Sequence, residues 1–141
     1  MRPNLSFYIQ KINQIVQETE AIGEKMNPSY EEVRGAIDAH TTDQLSEEHL
    51  AEIKEFFEDG TSKYKAMLQQ VSTLRPPAKA MGIHKRFEKS YMKYVAGCEE
   101  MIQSITNGID STAFDAAEAK QDEATDKLAV SIQKMTNLLL K

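Results

Sequence analysis

The stretch SEEHLAEIKEFFEDGTSKYKAMLQQVSTL, Ser46 to Leu74, decides the fold. Leu50, Ile53, Phe57, Gly60, Tyr64, Met67, Val71 and Leu74 recur at spacings of 3 and 4 without a slip. That period lines one face of a helix turning every 3.6 residues. Ser46 stands where an N-cap belongs, and Glu47 and Glu48 follow it, where carboxylates favour the positive helix end. Leu45 and Leu50 occupy the two positions of a hydrophobic staple. Asp59-Gly60-Thr61-Ser62 carries turn chemistry in mid-run. The apolar phase does not shift across it, so the helix is read as continuous. Arg75-Pro76-Pro77 ends it.

Working outward, the same signature repeats. Leu5, Ile9, Ile12, Val16, Thr19 and Met26 form a stripe that Tyr8, Ile15 and Ile22 widen. Asn27-Pro28 interrupts this stripe, because proline lacks an amide proton and clashes with the preceding turn. Tyr30, Val33, Ile37 and His40 resume it as a kinked extension or a short extra helix. Thr41-Thr42-Asp43-Gln44 reads as a loop. Downstream, His84, Phe87, Tyr91, Tyr94, Cys98, Met101 and Ile105 keep strict helical spacing until Asn107-Gly108. Asp110 can cap the last helix, with Ile109 and Phe114 as a second staple. That helix shows Phe114, Ala117, Ala124, Leu128, Ile132, Met135 and Leu139. Its alanine-rich first half implies either close helix approach or thinner packing.

The expectation is an all-α, antiparallel, up-down-up-down four-helix bundle forming one domain over residues 1–141. A chain of 141 residues suits a single core. Six Gly and four Pro are too few turn-formers for a many-stranded sandwich or barrel. One Cys excludes an internal disulfide and a Cys-based zinc site. The N-terminal residues show no apolar signal core, and Leu138-Leu139-Leu140 is far too short to span a membrane. The chain therefore reads as a soluble cytoplasmic domain, the alternative being an exported or cell-envelope domain whose signal is removed.

Folding the charges onto this topology segregates them. One end collects residues 1–14, 60–94 and 127–141, with thirteen Lys or Arg against the single acid Glu88, a net of +12. The other end holds 21 acids against Lys25, Arg34, Lys54 and Lys120, a net of −17. Lys79, Lys85, Arg86, Lys89 and Lys93 form the densest cationic run and the candidate interaction patch. An acidic protein, an anionic polymer or a membrane surface would suit it; head-to-tail association of bundles is a further option, and a solvated surface with no partner is the plain alternative. A sequence pI of about 5.2 and the lack of a recognition motif argue against nucleic acid.

Catalytic and metal chemistry finds little purchase. No Glu-x-x-His pair of a di-metal bundle occurs. His84 reads as a core-edge histidine, and Cys98 as a small buried hydrophobe beside Glu99 and Glu100, the wrong neighbours for a reactive thiol. No phosphate loop or dinucleotide glycine pattern is present. No cofactor or metal is expected. Tyr64, His84, Tyr91 and Tyr94 are the candidates for a ligand pocket between helices. Three functions follow: a non-enzymatic interaction protein working through surface charge, a small-molecule binder or enzyme with a pocket near His84 and Tyr91, and a structural homo-oligomer built on Leu138-Leu139-Leu140.

The run Pro76-Pro77, His84, Phe87, Ser90-Tyr91, Tyr94, Cys98 and Met101, continued by Ile105, Asp110, Phe114 and Ala117, resembles small all-helical proteins and lipoprotein ectodomains of Gram-positive bacteria. The resemblance covers the C-terminal half. It implies a helical bundle of largely unassigned function, with no catalytic residues to carry over. This chain departs from the lipoproteins in having neither an N-terminal signal nor a lipid-accepting Cys.

Overall fold

The computed structural model describes residues 4–139. Four α-helices run through them: α1 Leu5–Asp38, α2 Glu47–Thr73, α3 Met81–Ser104 and α4 Ser111–Leu139. Short 3-10 turns, Thr42–Gln44 and Ala78–Ala80, punctuate the first two connections. Cross-helix pairs establish the directions. Lys65 pairs with Glu99, and Ser72 donates to Glu88, so α2 and α3 are antiparallel. Gln121 donates to the Gly97 carbonyl while Lys120 reaches Glu100, placing α4 antiparallel to α3. Met26 lies against Gly60 and Glu32 pairs with His49, which reverses α2 against α1. The bundle is thus up-down-up-down, as the apolar stripes require.

The caps explain the boundaries. Asn4 accepts from the Phe7 amide, Ser46 from the His49 amide and Asp110 from the Ala113 amide. Each satisfies an amide that the first helical turn leaves without a partner. At the end of α1, His40 adopts a left-handed φ of 57°. Its amide bonds the Ile37 carbonyl and that of Thr41 bonds the Ala36 carbonyl, the paired bonds of a Schellman motif. His40 therefore closes the helix and is exposed instead of continuing the apolar stripe.

The structure decides one boundary that the sequence left open and moves another. No separate helix follows Asn27-Pro28, because α1 passes through Pro28 as one element of 34 residues. Pro28 and Glu24 are both exposed, so water can satisfy the Glu24 carbonyl that loses its helical donor. Ile22, Val33 and Ile37, buried on either side, hold the two halves on the same core. In addition, α3 stops at Ser104, before Asn107-Gly108. There the Ser104 carbonyl accepts from the Asp110 amide, and Gly108 takes a φ of 87° in the connecting turn.

The core forms two clusters. One contains Tyr8, Ile12, Tyr64, Phe87, Tyr91 and Met135; the other contains Val33, Phe57, Met101, Ile105 and Phe114. Met26 packs on both. It does so because Gly60 is empty: a Cβ there would collide with the Met26 sulfur. The turn-like glycine in mid-helix is thus a socket, which offsets its cost of about 1 kcal/mol in helix propensity. Gly97 has the same role between α3 and α4, where an added Cβ would sit 2.8 Å from Gln121 Cγ and 3.4 Å from the Ala117 carbonyl. Ala117 and Ala124 are fully buried on this seam, so the alanine-rich half of α4 serves close approach. At the far end Arg34 stacks on Phe114 and pairs with Asp115 and Glu118, tying α1 to α4.

Candidate functional site

Two features stand out, a cationic cleft between α3 and α4 and a group of tyrosines beneath the α1–α4 seam. The cleft follows from register. Lys120 reaches Glu100, and carrying that register along the antiparallel helices sets Lys93 level with Lys127 and Arg86 level with Lys134. Residues 86, 89, 90 and 93 share one face of α3, and 127, 130, 131 and 134 share one face of α4. The two faces enclose a cleft of about 350 Å3 bordered by Arg86, Lys89, Lys93, Lys127 and Lys134. Ser90 and Ser131 lie at its base, 6% and 5% exposed, with Ile83 and Val130 at the rim. Asp126 is the one acid in the lining.

Among the described residues, Lys127 is the only one of these five cations in an ion pair, with Glu123 at 3.1 Å. Glu88, next to Lys89, is held by Ser72 on α2 at 2.6 Å. With Asp126 in the lining and Glu123 on Lys127, the cleft keeps a net positive charge, exposed to solvent.

Of the five residues expected in the patch, Arg86, Lys89 and Lys93 line the cleft. Lys79, in the 3-10 turn, and Lys85 are exposed outside it. Lys127 and Lys134 were counted at the cationic pole, yet their convergence on α3 depends on cross-helix register. Ser90 and Ser131 gave no sequence signal beyond their position on the helix face.

The charge division also needs one correction. Thr19 bonds Tyr91, and Met26 rather than residue 14 lies level with Gly60. Residues 15–25 therefore belong to the cationic half, bringing Glu18, Glu20, Glu24 and Lys25 into it. These acids sit on α1, so the cationic excess lies on α2, α3 and α4. Arg2 and Lys141, counted in the sequence total, lie outside the described residues, as does Leu140 of the terminal leucine run. Leu138 packs on this chain's own core, and Leu139 is exposed.

Three of the four candidate pocket residues meet. The Tyr94 hydroxyl donates to that of Tyr64 at 3.2 Å, their rings meeting edge to face. Tyr91 stands beside Tyr94 and bonds Thr19 at 2.7 Å. Burial pushes all three phenols above their ordinary pKa, Tyr91 and Tyr94 furthest, so they are protonated at neutral pH. They border a cavity of about 250 Å3 between α1 and α4.

His84 does not line it. Its Nδ1 lies 2.6 Å from the Tyr8 hydroxyl, and it also bonds the Val71 backbone. Burial lowers its pKa, with the Glu88 charge and the Val71 bond opposing the shift. His84 is thus a neutral clamp joining α1, α2 and α3. Cys98 is buried, and desolvation pushes its thiol up to about 12. Among the described residues no three His, Cys, Asp or Glu side chains converge as metal ligands, and no helix is long and apolar enough to cross a membrane.

Comparison with family models, curated proteins and solved structures finds no match.

Proposed function

We propose that the chain is a non-enzymatic interaction module that takes an acidic protein segment on the cationic α3–α4 cleft. The observation that carries this reading is the convergence of Arg86, Lys89, Lys93, Lys127 and Lys134 around one cleft, with only Lys127 in an ion pair among the described residues. Gathering like charges costs Coulomb energy, and an acidic partner recovers it. The two serine hydroxyls at the base add donors for a carboxylate that reaches between the helices. Because the cations are exposed, charge complementarity acts mainly on encounter rate and partner choice. The single buried thiol supports a reducing, cytoplasmic setting.

The test is fluorescence anisotropy with a labelled Glu/Asp-rich peptide. Binding should weaken steeply as salt rises from 25 to 200 mM, since the Debye length falls to about 8 Å near physiological ionic strength. Lys89→Glu with Lys93→Glu should reduce affinity at least tenfold, and Lys79→Glu, outside the cleft, should reduce it far less. Salt-independent binding, or equal loss from both changes, would remove the reading.

A further inference from the structure

The cavity beneath the α1–α4 seam is separate from the cationic cleft, and its hydrogen bonds leave one donor uncommitted. Thr19 Oγ1 gives its proton to the Ile15 carbonyl at 2.8 Å, so in its bond with Tyr91 it must accept. The Tyr91 proton is thereby spent. The Tyr94 proton is spent on Tyr64. Tyr64 accepts that bond, and its own O–H has no acceptor among the described residues. Tyr64 is 1% exposed and borders both this cavity and a neighbouring one of about 250 Å3. Gly23 packs closely beside this oxygen, since a Cβ there would lie 3.3 Å from it.

The remaining wall is largely apolar, with Val16, Phe87, Leu128 and Ile132, and among the described residues it contains no cation. Glu20 is its only charged group among them, so an anionic ligand is disfavoured. A dry cavity of roughly 150 Å3 accommodates benzene, so about 250 Å3 suits one ring with a short substituent.

We infer that this cavity binds a small, neutral, mainly apolar molecule carrying one hydrogen-bond acceptor, which takes the free O–H of Tyr64. The inference does not depend on the cationic cleft. The matched probes acetophenone and ethylbenzene differ chiefly in the acceptor oxygen, and ligand-observed NMR titration of the full chain compares them. Acetophenone should bind more tightly by roughly three- to tenfold, the range of one net hydrogen bond. Removing the Tyr64 hydroxyl alone would release the Tyr94 proton into the same space. The donor test is therefore Tyr64→Phe with Tyr94→Phe together, which should equalise the two probes. Ala129 is an exposed helical residue at the cavity mouth, so Ala129→Phe should leave the fold intact and abolish binding of both. The inference is overturned if neither probe binds up to its solubility limit, if both bind the native chain equally, or if Ala129→Phe leaves binding unchanged. Should the double variant lose its helical circular dichroism, the probe pair and Ala129→Phe still decide.

Discussion

Tyr8→Phe keeps the ring that packs against His84 and deletes the hydroxyl. In the native chain that hydroxyl meets His84 Nδ1 at 2.6 Å, with Tyr8 2% and His84 5% exposed. Water has little access to the vacated position, so the variant leaves a buried ring nitrogen without its donor. The cost of such an orphaned polar group is about 1–3 kcal/mol. For a chain of 141 residues, each kcal/mol corresponds to about 3 °C in Tm, so the expected fall is roughly 3–10 °C. Thermal and urea unfolding followed by circular dichroism at pH 8, where the imidazole is neutral, measures it. A double-mutant cycle isolates the bond: in a His84→Leu background, Tyr8→Phe should cost under about 0.5 kcal/mol. Equal costs in the two backgrounds, or a loss below about 0.5 kcal/mol in the native one, would show that the pair does not act as a clamp.

The seams and buried groups supply further expectations. Gly97→Leu drives a side chain into the Gln121 and Ala117 backbone and should destabilise by about 1–3 kcal/mol or more, seen as a lower urea midpoint. Thr61 carries a buried hydroxyl with no hydrogen-bond partner among the described residues, so the near-isosteric Thr61→Val should raise stability by about 1 kcal/mol, and a lower Tm would contradict this. The depressed pKa of His84 means that its stabilising contribution is complete above an unfolded value of about 6.5 and is lost as pH falls through its folded value. His49, raised mainly by its hydrogen bond to Glu32, acts with the opposite sign, its contribution being lost as pH rises through the folded value. Urea midpoints of the His49→Gln variant from pH 8 to 5 should therefore fall on acidification, and His84→Leu in that background should flatten this part of the profile.

Much of the fold was legible because helical periodicity and capping are local. Ser46 and Asp110 cap as their neighbours suggested. The unshifted apolar phase correctly carried α2 across Gly60. Local rules left Pro28 open between a kink and a break, which core contacts on either side decide in favour of one helix, and they ran α3 on toward Asn107-Gly108, past its end at Ser104. The tyrosines of the cavity were legible as one face of each helix. His84 shares that helical face but lies nearer the start of α3, where Tyr8 and Val71 bind it instead.

Sequence by itself determined nearly all of the residues that face inward, that long helices form and that each reverses on the last. Tertiary structure alone decided how far each helix slides along its neighbours. A stripe of apolar residues specifies rotation about a helix axis and says little about translation along it. Translation is set where shapes interlock, by Met26 in the socket of Gly60 and Gln121 against Gly97. That sliding brought Lys127 and Lys134 opposite Lys93 and Arg86 and set buried Tyr64 at the border of a cavity.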